Sequence, residues 1–474
     1  MSNPEQSKNL TQPQESIGRT LSRRDFLKAA GMVGAAVLAN RYLGPLVGVE
    51  GAPLPLGADV IFSNLKKEQA ELETRPDTVY GWTFKADAAG GVTDFYAITE
   101  AYSQDDKRTP LGRYLFKSSL DATTGKFSKF NPISSKLPIA ATSIAVYGNA
   151  LLLGGAEKFP EVSNVTALLY IPDDKPFTPI TQVTLLANYN GGINEIKLLP
   201  NTAKAILSAP GFELRGSQLT FDFNTLKAVQ EGWSNSDYGT RGDLVIASTL
   251  DRKARFLSPA LTSSLSWGYV DTTRDPVSGQ VLSVQLKHPE VSYALGLAVT
   301  KDQAGLVKEI LIPNIDSVLY TIDDKTDSVK SSVFVGGWLN GRNIPNSDIN
   351  SLTLGQIQVI GNNVWSAGTY QSLIDASQRA LLLNWPLGSN PGIDPSILKV
   401  YQLEDKKPSG VKDMQFGIFN GKFGLIKHIF GMGLAFTETA TDGTSLPGVK
   451  PIYIGQGLGE LHQTFLPNLD RKAA

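Results

Sequence analysis

A strand-like run carrying an aromatic residue returns about every fifty residues in this chain. Phe116 (in Tyr114-Leu115-Phe116), Tyr170 (Leu168-Leu169-Tyr170), Phe221 (Leu219-Thr220-Phe221), Tyr269 and Tyr320 (Val318-Leu319-Tyr320) follow one another at 54, 51, 48 and 51 residues. After each run comes a polar turn: Asp121-Ala122-Thr123-Thr124-Gly125-Lys126, Asp173-Asp174-Lys175, Asn224-Thr225, Asp271-Thr272-Thr273 and Asp323-Asp324-Lys325-Thr326. Asp and Asn tolerate the left-handed backbone region and hydrogen-bond their own main chain, so such turns suit hairpins. A second beat starts near Ser143, Glu195, Asp243, Tyr293, Leu352 and Asp413, at intervals of 52, 48, 50, 59 and 61 residues. Unrelated loops would not hold that spacing.

A repeat of this length accommodates four short strands and cannot bury its apolar faces alone, so the units must stack on one another. On this pattern the chain beyond residue 77 resembles the β-propeller superfamily, without pointing to one family within it. The expected fold is all-β, with seven blades of four antiparallel strands at about 78–130, 138–187, 193–232, 240–287, 291–336, 350–404 and 411–456. Six or eight blades fit the same length, and two β-sandwich domains would explain the composition but not the beat. The last 18 residues, or part of 58–77, are candidates for a closing strand, with Leu65–Leu72 readable as a short helix instead. At roughly 100–200 residues per domain, 474 residues suggest three domains; the beat makes them one ring over 78–474, preceded by a linker at 52–77.

The N-terminal fifty residues read differently. A polar leader precedes Ser22-Arg23-Arg24-Asp25-Phe26-Leu27-Lys28, which is followed by an 11-residue Gly/Ala-rich apolar run, Ala29 to Ala39. A membrane-spanning helix needs about 20 apolar residues, so the run has the length of a signal-peptide core. The segment resembles a twin-arginine (Tat) signal, matched at Ser22, Arg23, Arg24, Phe26, Leu27 and Lys28. The resemblance implies recognition by the Tat export machinery and delivery of an already folded protein to the periplasm or the exterior, often with a cofactor in place. Cleavage after Ala39 or Gly51 would release it, the second giving a leader of 1–51; an uncleaved chain would stay tethered to the membrane.

Composition removes much chemistry. There is no cysteine, which excludes disulfides, thiolate nucleophiles, Fe–S clusters and Cys-bound zinc. The three histidines, His288, His428 and His462, show no metal-ligand spacing, and copper or histidine-ligated iron centres need more of them. A net charge of −1 leaves no basic footprint for nucleic acid. No G-x-S-x-G elbow is present. The six tryptophans share no position in the repeat, unlike the docking tryptophans of quinone-cofactor propellers.

Two constellations remain. In a propeller, ligands meet the starts of the innermost strands and the loops between blades. Three carboxylates fall at such starts, Glu195, Asp243 and Asp413, and converging they would suit Ca²⁺, a hard cation taking 6–8 oxygen ligands. Alternatively each bonds a backbone amide where its strand begins. The longest loop between blades, 336–350, carries Trp338, Arg342, Asn343 and Asp348, a kit for a polar ligand or a peptide. Blade six also expands around Tyr370–Gln378, beside that loop in a ring. The expected function is an exported binding protein with its site at the channel mouth, its partner a small ligand, a polysaccharide or a protein. The alternative is a Ca²⁺-dependent hydrolase of lactonase or phosphoesterase type, with Glu195, Asp243 and Asp413 on the metal and Arg342 binding an anion.

Overall fold

The computed structural model describes residues 73–466, apart from internal stretches that include 103–109, 172–180, 230–237, 335–346, 390–396, 405–410 and 455–461. The chain divides into two units, Met1–Gly48 and Val49–Ala474; the described residues all belong to the second. They contain no α-helix.

Seven antiparallel sheets follow one another along the chain. Blade one comprises Glu73–Ala86, Val92–Tyr102, Pro110–Asp121 and Lys126–Phe127, and Asn131–Pro132 also pairs with its third strand. Blade two comprises Ala140–Tyr147, Ala150–Ala156, Ser163–Tyr170 and Thr181–Tyr189; blade three comprises Glu195–Leu199, Lys204–Pro210, Gly216–Asp222 and Lys227–Val229. Blade four has two short pieces in its first position, Tyr238–Thr240 and Val245–Ser248, before Ala254–Thr262, Trp267–Arg274 and Val281–Val291. Blade five comprises Ala298–Lys301, Val307–Pro313, Val318–Asp323 and Ser328–Phe334. Blade six comprises Ser347–Ile360, Asn363–Ser372, Gln378–Pro386 and Lys399–Glu404, and blade seven Val411–Phe419, Lys422–Ile429, Gly433–Glu438 and Ile452–Ile454. The five repeating aromatics all lie on third strands, which is why they keep one register.

Middle strands read as continuous apolar runs because each blade is covered on both faces. In Leu151-Leu152-Leu153 all three side chains are buried. Leu151 and Leu153 pack toward blade one, while Leu152 packs toward blade three, as the two-residue period of a strand requires. Every seam between neighbours has its own apolar cluster. The last of these joins Phe419, Ile426, Leu434, Phe436 and Ile454 of blade seven to Trp82, Val92, Phe95 and Ala97 of blade one. Burial of such side chains contributes roughly 1.5–3 kcal/mol each, and this seam closes the ring. One parallel bridge, Gly91 to Ile418, spans the same junction. The chain therefore forms a seven-bladed β-propeller.

The tail does not close blade seven. His462–Leu466 pairs antiparallel with Lys399–Glu404, so it adds a fifth strand to the outer edge of blade six. Leu65–Leu72 lies outside the described residues.

In a four-stranded meander the first–second and third–fourth connections lie at one end, and the remaining connections at the other; these are called the turn end and the loop end. The turn end repeats closely. Asp121, Asp222, Asp275 and Asp323 each place Oδ1 on the backbone N–H groups two and three residues ahead, at 2.6–3.3 Å. Four residues after each Asp the backbone turns left-handed, at Gly125, Leu226, Gly279 and Asp327 (φ +65°, +55°, +79° and +57°). In blade four this turn begins at Asp275, four residues later than Asp271. Asp271 remains in the third strand and binds the Arg255 guanidinium. Pro276, with its fixed φ, and Gly279 select the later position.

Candidate functional site

The loop ends of blades one and six stand out in length. The first strand of blade six, Ser347–Ile360, has 14 residues, matched by the 14 of Glu73–Ala86 in blade one and longer than the 8, 5, 4 and 9 in blades two, three, five and seven. Ser347 pairs with Ser372 and Asp348 with Gln371, and a register break separates these pairs from the body of the sheet at Thr353. A two-stranded ribbon thus extends from blade six at the loop end. The sequence places 336–350 in a loop; its last four residues are strand. Asp348 sits on this ribbon, whereas Trp338, Arg342 and Asn343 lie outside the described residues. The expansion at Tyr370–Gln378 proves to be the far end of the ribbon, with Tyr370–Ser372 and Gln378 in strands.

The three candidate metal carboxylates have different surroundings. Glu195 opens the first strand of blade three. Its Oε2 accepts a hydrogen bond from the Leu244 backbone N–H of blade four at 2.8 Å, and its Oε1 pairs with the Lys197 ammonium. Glu195 therefore ties one blade to the start of the next. Asp413 lies in the first strand of blade seven, paired in register with His428, and Asp243 is outside the described residues. Among the described residues no group of three or more His, Cys, Asp or Glu side chains could hold a metal ion. His288, His428 and His462 all lie in strands of different blades.

Several buried and half-buried charges cannot be recognised from sequence without knowing the blade faces. Arg255 of blade four donates to Asp271 in its own blade and to Asp324 of blade five at 2.7 Å. Next to it, the Tyr269 hydroxyl donates to Asp327 at 2.7 Å. Burial raises the Tyr269 pKa well above its ordinary value, and the bond to Asp327 adds to the effect. Between blades one and two, the Arg113 guanidinium lies 3.5 Å from the centre of the Tyr80 ring and donates to the Ala141 carbonyl at 2.7 Å. In the seam of blades six and seven, Lys427 is fully buried beside Met414 and Leu425 and donates to the Thr437 hydroxyl. Desolvation lowers its pKa from 10.5 to about 7. Arg255, Tyr269 and Arg113 bind blade to blade, whereas Lys427 bonds within blade seven.

Comparison with known proteins agrees with the N-terminal reading. Residues 20–39 match the TAT (twin-arginine translocation) pathway signal sequence. The chain thus carries a signal for the Tat machinery and for export across the membrane, to the periplasm or beyond. No curated protein matches the chain in sequence. Among solved structures it is similar to the WD40 β-propeller domain of Doa1, with 12% sequence identity and a TM-score of 0.41, over 79% of this chain and 97% of that one.

Proposed function

We propose that this exported propeller is a binding protein whose ligand is met at the loop-end mouth, over the blade-six ribbon and the 336–350 segment. The observation that supports it is the contrast of strand lengths. A 14-residue first strand extends beyond the sheet body in blade six, as one also does in blade one, and the blade-six strand directly continues the 336–350 segment, where a rigid scaffold would present variable loops. Trp338, Arg342, Asn343 and Asp348 offer an aromatic face, a guanidinium fork, an amide and a carboxylate, suited to a polar ligand, a polysaccharide or a peptide. Once the leader is removed, by a cut after Ala39 or Gly51, the ring would act in solution outside the cytoplasm.

The test is binding to arrays of defined polysaccharides and peptides, comparing the parent with a Trp338→Ala/Arg342→Ala double variant. A ligand bound by the parent and lost by the variant, at unchanged Tm, supports the reading. A ligand bound equally by both would overturn it.

A further inference from the structure

We propose that the seam between blades three and four is a hydrated joint, a site for ordered water built from Ser208, Gln218 and Thr272. Alternation fixes which way these side chains face. In blade three, Leu207, Leu219 and Phe221 belong to the cluster shared with blade two, so Ser208, Gln218 and Thr220 face blade four. In blade four, Leu257 and Tyr269 belong to the cluster shared with blade five, so Thr272 and Arg274 face blade three. Direct contacts agree. The Arg274 guanidinium donates to the Thr220 hydroxyl at 2.9 Å and to the Gln218 carbonyl at 3.3 Å, and also to the Gly279 carbonyl at 2.9 Å.

Gln218 and Thr272 lie one step toward the loop end from Thr220 and Arg274, and Ser208 is paired with Gln218 in the sheet. All three are buried, at 1% exposure or less. Yet the Ser208 Oγ, both amide atoms of Gln218 and the Thr272 Oγ1 have no hydrogen-bond partner among the described residues. Buried polar groups in native proteins are paired with protein or with ordered water. Here the chemistry selects water. The Gln218 amide must both donate and accept, and each hydroxyl can do either. An anion would leave the amide oxygen unsatisfied, and a cation the amide nitrogen; water serves both. Ser208, beside the glutamine in its own sheet, and Thr272, on the facing blade, both carry short side chains.

A crystal structure of the full chain, at a resolution that shows waters and after a bromide soak, tests this. The expected result is at least one peak about 2.7–3.2 Å from the Gln218 amide and from one of the two hydroxyls, with no anomalous signal there. A bromide peak at that position would make it an anion site and overturn the proposal. So would a dry seam in which Gln218 turns to bond Ser208 or Thr272 directly.

Discussion

The two ends of the ring are built on different rules. At the turn end the chain repeats itself: four blades use an Asp whose carboxylate binds its own following amides, with a left-handed residue four places on. Neighbouring blades also touch there. Lys85 reaches Asn149 at 2.7 Å, Tyr147 stacks on Phe223 at 4.2 Å, and Trp365 donates to the Gly443 carbonyl at 2.8 Å. At the loop end no such turn recurs among the described residues, and blades one and six extend ribbons beyond the other sheets. Repetition with internally satisfied hydrogen bonds marks the end that holds the ring together. Variation on the same scaffold marks the end to which the proposed ligand is assigned.

The contrast can be broken first at the turn end. Trp365 is fully buried in the seam between blades six and seven, and Trp365→Ala should cost about 3–5 kcal/mol, read from denaturant unfolding. Gly443 comes next. Its φ is +81°, and a Cβ there would lie 2.1 Å from Ile360 Cγ2 and 3.1 Å from the Ile360 carbonyl. Gly443→Ala combines left-handed strain with overpacking and should cost about 2–4 kcal/mol. A loss near zero in either variant would mean that this end does not bear the stability assigned to it.

Lys427 gives a prediction with a sign. Its pKa is lowered from 10.5 to about 7 by burial, so between those values the unfolded chain binds more protons than the folded one. Stability should then rise as pH goes from 7 toward 10, by up to about 1.4 kcal/mol per unit. Lys427→Met should remove that slope and be more stable than the parent at pH 7. An unchanged slope would show that Lys427 is not its source.

The turn carboxylates should have the smaller effect. Backbone N–H groups of Thr123, Ser278 and Thr326 hold Asp121, Asp275 and Asp323 below the usual carboxylate range. Because these pKa values are depressed on folding, their stabilisation is present above the ordinary carboxylate pKa and is lost as acid protonates the folded turns. Asp275→Ala should lower Tm at neutral pH by less than Gly443→Ala, and the difference from the parent should vanish in acid.

How much of this was legible in sequence follows from where the information lies. Blade number and the five third-strand aromatics could be read because Asp-led turns and strand lengths are local, and local rules repeat. Two local misreadings occurred where rules competed: Asp271 resembles a turn residue until Pro276 and Gly279 are weighed, and Ser347–Asn350 resembles loop until its pairing partner at Ser372 is known. The buried polar groups were illegible for a different reason. Whether Gln218, Arg274 or Lys427 faces a seam depends on strand register against a neighbour some fifty residues away, which no local pattern records. Glu195 was found as the residue opening its strand, but its partner, the Leu244 amide, belongs to the next blade.

The most direct test of the division between the ends is a paired measurement of ligand binding and Tm on two variants. Trp338→Ala/Arg342→Ala alters the loop end, and Gly443→Ala alters the turn end. The account predicts that the first abolishes binding at unchanged Tm, whereas the second lowers Tm and leaves the affinity of the folded protein intact. Loss of binding on altering Gly443, with binding intact after altering Trp338 and Arg342, would contradict it.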